Sequence, residues 1–392
     1  MKTFSGLNVV MRPIRQLSRS APQLECLWRN QAAAEGYSSA VSLHSHTLHS
    51  REPLDFLPRL IEKIPPLNVI VRRASERRKK RCGRALDFDR AFWRPPLHAQ
   101  AAYELEAAQI RALRLRPMVS LTDHDDIEAC ADLNALGIAA PFSVEWTAPF
   151  GAAVFHLGVH NLPAAEARGW MAEMARYTAA PDEARLGRLV AAFDAMPDVL
   201  LVLNHPYCTE QRIARELQAE ELGRFLAAYG AHIHALELNG LQPAADNRDV
   251  LRLSRETRIP VVSGGDRHCL EPNANLNLTN AASFAEFVHE VRVRKLSRVL
   301  FLPQYREPLA ARYIEFAWHA VKNHPDLPGR ERCLDRIFYE HATKGVQPLS
   351  TIWPAGEPAA LHALIAAIGF LANPGLRATL RLAIGAQEPT EA

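Results

Sequence analysis

Short apolar runs alternate with helical patterns along the middle of the chain. Each run is rich in Val, Leu or Ile and ends in a polar residue, as strands buried in a parallel sheet do. The runs occupy residues 41–43, 118–121, 142–144, 199–203, 235–238 and 259–262. Helical periodicity fills residues 103–115, 184–196 and 210–229. The alternation predicts βαβ units and an α/β fold built on a parallel sheet or barrel.

Three segments depart from this alternation. Residues 1–37 form a leader of mixed character, which we interpret as an N-terminal arm. Residues 50–100 are long for one connection and hold six prolines and a basic run at 72–81, which indicates an insertion. After residue 302 the pattern is helical with proline breaks. The predicted division is therefore an arm at 1–37, a core at 38–302 and a helical appendage at 303–392.

The composition is that of a soluble globular protein. The chain has 392 residues, 48% hydrophobic and 23% charged, with a net charge of +3, which excludes wholesale disorder. Six scattered cysteines without C-x-x-C spacing favour a reducing, cytoplasmic location. The apolar stretch at 359–372 contains His362 and is too short to cross a bilayer. The N-terminus lacks the apolar stretch of a secretory signal.

Histidine is the unusual residue, with 16 copies. The first predicted strand ends in His44-Ser45-His46, and alternation along a strand places both imidazoles on one face, where they can share a metal ion. A second H-x-H pair, His232 and His234, lies at the beginning of a strand, and we interpret it as structural.

Histidines and carboxylates also follow the next predicted strands. The second run ends in Asp123-His124-Asp125-Asp126, a cluster that packing alone does not explain, although one aspartate can cap the following helix. The third run ends in Glu145, and His156 lies inside the next apolar strand. A lone histidine there is as easily a core residue as a ligand.

The last two runs add three more candidates. His205 follows the fourth run in Asn204-His205-Pro206, whereas the same tripeptide at His324 follows an amphipathic helix and reads as a helix end. The final run leads through two glycines into Asp266-Arg267-His268. The glycines permit a tight turn, and Arg267 could face a phosphate or a carboxylate.

All of these side chains lie at or near strand ends, which converge on one mouth in a parallel barrel. The predicted metal ligands are His44, His46, His124, Glu145, His156, His205, Asp266 and His268. Imidazole and carboxylate ligands suit Zn²⁺, Mn²⁺ or Fe²⁺. Eight candidates exceed the needs of one ion, so we expect two or three divalent ions, two of which Glu145 can bridge.

The ordered series H-x-H, T-D-H, a glutamate followed by a histidine, N-H and G-x-D-x-H resembles the polymerase and histidinol phosphatase (PHP) family over residues 38–285. The resemblance implies a distorted (β/α)7 barrel, a multinuclear metal site and phosphoester hydrolysis. The spacing around Glu145 is most similar to stand-alone members that act on nucleotides and RNA ends.

The resemblance also implies a division of the ligands. His44, His46, Glu145 and Asp266 would hold one ion, Glu145 would bridge to a second ion on His156 and His205, and His124 and His268 would serve a third.

The chain departs from the family pattern after H-x-H and after the His-Pro pair. The aspartate expected in the turn after H-x-H is replaced by Arg51, so Glu52 or Asp55 would have to substitute. The arginine expected after His205-Pro206 is absent, because Tyr207 and Cys208 follow.

The leading hypothesis is a metal-dependent phosphoesterase in which a hydroxide between two ions attacks phosphorus. Glu145, Asp123 and His268 are the candidate catalytic residues, and Arg51 and Arg267 the candidate substrate-binding ones. The substrate would be a phosphorylated small molecule or nucleotide.

Two alternatives stay open. The first is an exonuclease that holds nucleic acid through residues 72–81. The second is a metal-dependent C–N hydrolase or a non-catalytic metal-binding module.

Overall fold

The computed structural model describes residues 22–62, 65–83, 87–209, 213–341, 343–353 and 359–389. The strands are β1 Gln23–Cys26, β2 Ser39–Leu43, β3 Glu52–Pro53, β4 Ala91–Trp93, β5 Arg116–Ser120, β6 Phe142–Phe150, β7 Ala153–Leu162, β8 Leu200–Asn204, β9 Ala235–Asn239, β10 Val261–Gly264, β11 Asn275–Thr279, β12 Arg298–Phe301, β13 Ile337–His341 and β14 Gly345–Pro348. The helices are α1 Leu57–Glu62, α2 Pro65–Cys82, α3 Ala99–Ala112, α4 Glu128–Ala135, α5 Ala167–Ala179, α6 Glu183–Ala195, α7 Arg215–Tyr229, α8 Ala244–Thr257, α9 Phe284–Arg292, α10 Leu309–Val321, α11 Cys333–Arg336, α12 Leu349–Ile352, α13 Ala359–Leu371 and α14 Pro374–Ile384.

The strands form two sheets of five and one of four. The first sheet has the order β1-β12-β11-β2-β5 and the second has the order β10-β9-β8-β7-β6. Pairing is parallel between β2 and β5 and through β8, β9 and β10, and antiparallel at the β6–β7 hairpin. The chain is therefore a mixed α/β protein.

Each of the six apolar runs overlaps a strand, which confirms this part of the sequence prediction, although the run 259–262 begins two residues before β10. Strands β2, β8 and β9 are buried along their whole length, which explains why they lack an alternating polar face. The predicted helices correspond to α3, α6 and α7. Behind the strands, Trp146, Phe193 and Phe225 are fully buried in the largest apolar cluster.

A closed barrel is not found among the described residues, because strand pairing leaves two open sheets. The (β/α)7 prediction is therefore not confirmed. Backbone hydrogen bonds nevertheless join the two sheets where their strands end. Asp266 N donates to His44 O at 2.7 Å, and Glu145 N donates to Asp123 O at 3.1 Å. These bonds bring the ends of β2, β5, β6 and β10 together.

The insertion and the C-terminal segment share the third sheet, which has the order β14-β13-β4-β3. Strands β3 and β4 come from the insertion, and β13 and β14 follow α11 in the segment predicted to be helical. The appendage therefore contains a hairpin in addition to its helices. Residues 50–100 and 303–392 are consequently bound to each other, which no local sequence pattern indicated.

The predicted arm also contributes to the fold within the described residues. Strand β1 pairs in parallel with β12 at the edge of the first sheet. The remainder of the arm, residues 1–21, lies outside the described residues. The domain boundaries at 37 and 302 stay a prediction.

No helix in the described ranges is long and apolar enough to span a membrane.

The buried side chain of Arg336 links several parts of the C-terminal segment by hydrogen bonds. Its side chain is buried, and its guanidinium donates to the backbone oxygens of Ala320, Lys322, Arg330 and Glu331. Its own backbone oxygen accepts a hydrogen bond from Arg94 N, next to β4. One buried side chain thus donates to four backbone carbonyls of this segment, all of them part-buried.

We predict that Arg336→Met lowers the unfolding free energy of this segment by about 2 kcal/mol or more, because four carbonyls lose a charged donor. Hydrogen exchange should show lost protection in β4 and β13 before the rest of the protein. Arg111→Met, at an exposed surface pair with Glu104, serves as the control and should change stability by less than about 0.5 kcal/mol. Equal effects of the two substitutions would contradict the anchoring role of Arg336.

Candidate metal centre

Several candidate ligands follow the ends of strands, whereas Glu145 lies inside β6, which continues to Phe150 instead of ending at Glu145 as the apolar run predicted, and His156 lies inside β7. His44 follows β2, His205 follows β8 and Asp266 follows β10. All three have positive φ angles, of 63°, 25° and 53° respectively. Such backbone costs about 1–3 kcal/mol per non-glycine residue and persists where function selects it. The sharp turns aim these side chains back across the ends of the sheets.

Glu145 lies at the centre of the candidate ligands. Its carboxylate is fully buried. Imidazoles from other segments of the chain surround it. The distances from its oxygens to the nearest ring nitrogens are 2.9 Å for His44, 3.1 Å for His205, 3.3 Å for His46, 3.4 Å for His156 and 3.5 Å for His124. One carboxylate is therefore in contact range of five histidines from four segments of the chain.

Two further carboxylates extend the centre to either side. Asp266 Oδ1 lies 3.5 Å from the Nε2 atoms of both His44 and His46. Glu52 Oε2 lies 3.5 Å from His124 Nε2 and 3.4 Å from His268 Nε2. Glu52 therefore stands beside the two histidines that the family resemblance implied for a third ion.

The described residues give four groups whose ligand atoms lie within 4.8 Å of one another. These groups are His46, Glu52, His124 and His268; His44, Glu145 and His205; His44, His46 and Asp266; and His124, Glu145 and His156. All eight predicted ligands belong to at least one group. Because neighbouring groups share members, they form one connected cluster of candidate ligands rather than several separate ones.

The carboxylates stay ionised although they are buried. Burial alone would raise the pKa of Glu145, but the imidazoles of His44, His124 and His156 outweigh it and hold that pKa well below its usual value. The same competition lowers the pKa of Asp266, again mainly through His44. Buried anions of this kind need cations close by, and within the described residues the ion-pair partners of Glu145 and Asp266 are imidazoles.

The histidines divide according to their carboxylate neighbours. Burial opposes charge on His46, but the nearby carboxylates of Asp266 and Glu145 prevail and raise its pKa to about 9. At His124 burial prevails over Glu52 and Glu145 and lowers the pKa to about 4. A divalent cation would displace the protons on the first kind of imidazole, so binding at this centre releases protons.

The donor atoms fit divalent cations. His46 Nε2 is buried and makes no hydrogen bond within the described structure, although the carboxylates of Glu145 and Asp266 lie near it. A buried imidazole nitrogen aimed at two carboxylates is the arrangement of a metal ligand. The mixture of nitrogen and oxygen donors suits Zn²⁺, Mn²⁺ or Fe²⁺.

Asp123 lies beneath the centre and belongs to none of the four groups. Its carboxylate accepts hydrogen bonds from Thr47 N and Thr47 Oγ1. It therefore holds the backbone directly after the His44–His46 pair. Burial raises the pKa of Asp123, although nearby His46 and Thr47 act against it.

The two arginines predicted to bind substrate lie away from the four groups. Arg267 is buried, and its guanidinium is bonded to Glu106 and to the backbone oxygen of Cys269. Those bonds hold the guanidinium of Arg267 against α3, and contact between Arg267 and substrate stays a prediction. Arg51 is exposed, and its guanidinium lies 4.2 Å from the ring centre of Phe92.

The histidines interpreted as structural lie elsewhere. His232 and His234 both contact Asp194, each at 3.0 Å. His324 Nε2 lies 2.7 Å from His319 O, just after α10. Sequence context therefore separated these repeats of the H-x-H and N-H-P patterns from the copies at the centre.

Sequence reasoning missed Glu237, which lies on β9. Its Oε1 is 2.5 Å from His44 Nδ1, while its Oε2 accepts hydrogen bonds from His205 N and Asn239 Nδ2, each at 2.9 Å. A carboxylate on the outer nitrogen of a ligand histidine fixes the ring and makes it a better donor. The signal available in the sequence was a glutamate inside an otherwise apolar strand run.

Gly264 is explained by Glu237. A Cβ atom at Gly264 would lie 1.6 Å from Glu237 Oε1, so this position has no room for a side chain. The sequence pattern predicted a tight turn at the two glycines before Asp266. The structure adds a steric reason for the first of them, which is to leave the Glu237 carboxylate against His44.

Comparisons with known proteins give distant likenesses only. No protein-family model and no curated protein matches the sequence. An amidohydrolase from Chromobacterium violaceum, solved with sulfate and without metal, is 15% identical with a TM-score of 0.32, and the match covers 58% of this chain and 87% of that one. A proposed metal-dependent phosphoesterase from Bifidobacterium adolescentis is 14% identical with a TM-score of 0.30, covering 67% of this chain and 97% of that one. TM-scores this low do not establish a common fold, so function is inferred below from the centre itself.

We predict that Gly264→Ala weakens Mn²⁺ or Zn²⁺ binding about 10- to 100-fold, because the new methyl group displaces Glu237 from His44. Isothermal titration of the metal-stripped protein measures this affinity directly. Glu237→Gln should give a loss of the same size. Gly223→Ala provides the matched control, since nothing lies within 4 Å of a Cβ there. Unchanged affinity in both Gly264→Ala and Glu237→Gln would exclude the orienting role of Glu237.

Proposed function

We propose that the chain is a metal-dependent hydrolase that cleaves phosphoesters. The observation that carries this proposal is the position of Glu145, which is shared by two of the four ligand groups and contacts five histidines. A buried carboxylate with ligands on both sides is suited to bridge two cations. Two adjacent cations are the arrangement that stabilises both the attacking and the leaving oxygen of a phosphoryl group.

The residues would hold cations at two or three positions. His44, His46 and Asp266 form one set. Glu145 belongs to two others, one with His44 and His205 and one with His124 and His156. Glu52 completes the set of His46, His124 and His268, in place of the aspartate that the family pattern expects. Bound divalent ions would lower the pKa of a water molecule and offset the negative charge that develops on phosphate.

The protein's own residues prepare the centre for this chemistry. Glu237 fixes the ring of His44, and Asp123 holds the loop that carries His46 through Thr47. His268 lies between Trp93 and Phe316, with ring centres 6.3 Å and 5.7 Å away. These aromatic rings exclude water from one side of the imidazole. Proton exchange between substrate and His268 or Asp123 stays a prediction, as does contact between substrate and Arg51.

The choice of phosphoester over amide substrates rests on the number of ligand sets. Hydrolysis of a C–N bond needs no more than two cations, whereas four overlapping ligand groups with room for a third cation would offer the higher positive charge that suits a phosphate dianion. A C–N hydrolase would use the same ligands, so both substrate classes belong in the assay.

We expect protein reconstituted with Mn²⁺ to release inorganic phosphate from members of a broad phosphoester panel. His44→Ala should reduce the rate more than about 100-fold, since it removes a ligand shared by two groups. Phosphate release is measured by a colorimetric assay, and a panel of cyclic amides is followed in parallel by absorbance.

His232→Ala is the matched control, because His232 belongs to the other H-x-H pair and its imidazole contacts Asp194. It should retain the wild-type rate. Equal rates in wild type and His44→Ala would remove the proposed centre. Turnover of amides without phosphoesters would reassign the reaction, and metal binding without any turnover would indicate a binding module.

We further predict that Glu52→Gln lowers the number of bound ions by one per chain. Glu52 occurs in only one of the four ligand groups, so its loss leaves the sets around Glu145 intact. Metal analysis after equilibrium dialysis gives the count. Asp55→Asn is the control, because Asp55 is the other residue that the sequence offered for this role and it belongs to no group. An unchanged count in Glu52→Gln would show that Glu52 is not a ligand.

A further inference from the structure

The positive charge of the chain is concentrated in the insertion. Residues 51–100 hold 13 lysines and arginines against 6 aspartates and glutamates, a net charge of +7, whereas the whole chain carries +3. The other residues therefore carry a net charge of −4. Such separation of charge indicates a surface that attracts anions, even though the bulk charge of the protein is small.

Most of this charge lies on α2. Its residues 72–81 contain seven basic side chains, and Glu76 is the only acid among them. Five of the basic side chains are exposed, and none of these five forms an ion pair within the described residues; they are Arg72, Arg73, Arg77, Lys79 and Lys80. Like charges four residues apart, such as Arg73 and Arg77, destabilise an isolated helix. A bound polyanion would remove that cost.

Arginines also collect at the base of the insertion. Arg51 and Arg94 flank the paired strands β3 and β4, and their guanidinium carbons lie 4.2 Å and 6.0 Å from the ring centre of Phe92. Neither makes an ion pair with a carboxylate in the described part of the chain. Burial, followed by the charges of Arg330 and Arg51, lowers the pKa of Arg94, with Asp126 and Asp123 acting in the opposite direction.

We propose that the insertion is a binding surface for the phosphate backbone of a nucleic acid, with α2 as its main contact. The basic segment 72–81 spans about 15 Å as a helix, the length over which one strand of a duplex places about four phosphates. In the chain, α2 lies between β3 and β4, and β3 supplies Glu52 to the candidate metal centre.

The composition of α2 favours nucleic acid over a membrane. A helix that lies in a lipid interface needs an apolar face of large side chains opposite its basic face. Between residues 72 and 81 the only apolar side chain is that of Ala74. The exposed basic side chains of this segment suit a phosphate backbone that crosses the helix.

The test is binding of a fluorescein-labelled single-stranded RNA, followed by anisotropy at about 50 and 200 mM salt. Wild-type affinity should fall steeply with salt. A variant in which Arg72, Arg73, Arg77, Lys79 and Lys80 are all changed to Gln should bind at least about tenfold more weakly at low salt. Its slope of log affinity against log salt should be smaller by about three, since each contact contributes about 0.7.

The matched control removes the same charge elsewhere. Arg111, Arg168, Arg176, Arg224 and Arg252 are exposed, and each contacts a carboxylate. Changing these five to Gln should leave RNA affinity within about twofold of wild type. Circular dichroism and the thermal unfolding midpoint verify that both variants are folded.

The outcomes are decisive without any turnover, so they stand apart from the proposed hydrolase activity. Absence of RNA binding at low salt would overturn the proposal, and so would equal losses in the two variants, which would show a bulk charge effect. Binding to phosphatidylserine vesicles that exceeds binding to RNA would assign α2 to a membrane instead. Retained RNA binding by a protein that hydrolyses no phosphoester would leave the proposal in place.

Discussion

The concentration of buried negative charge around Glu145 is the constraint on which the rest of the structure depends. Glu52, Glu145, Glu237 and Asp266 are all buried within a few ångströms of the same imidazoles. Taking such groups out of water is costly unless cations and hydrogen bonds compensate. The positive φ angles at His44, His205 and Asp266, and the backbone bonds between the two large sheets, can be understood as the structure required to hold the compensating groups in place.

Much of the centre could be predicted from the sequence because strand ends are visible in it. Buried strands read as short apolar runs, and a polar residue that ends such a run must lie at one edge of the sheet. That rule was enough to gather His44, Glu145, His205 and Asp266, which are separated by up to 222 residues in the chain. It also distinguished His205 from His324, which share a tripeptide but follow a strand and a helix respectively.

The remainder depended on pairing that no local pattern encodes. Strands β3 and β4 are two and three residues long, too short to give a periodic signal, and they become strands only because β13 lies beside them. Glu237 looked like an ordinary strand position because the partner that explains it, His44, is remote in sequence. The side-chain environment of Arg267 was equally hidden, since Glu106 comes from α3. The predicted closure into a barrel required knowledge of every strand neighbour, and the strands instead pair as two open sheets.

The four-stranded sheet couples the stability of the carboxyl-terminal segment to cation binding at the candidate metal centre. Glu52 is the first residue of β3, which pairs with β4, and β4 in turn pairs with β13 nearly 250 residues later. By thermodynamic linkage, the binding free energy that a cation would gain from Glu52 would also stabilise the β13–β14 hairpin, which supports β3 through β4. Loss of order in that hairpin would likewise weaken the hold on one ion while leaving its neighbours undisturbed. Occupancy of a single position is thus tied to the folding of a distant part of the polypeptide.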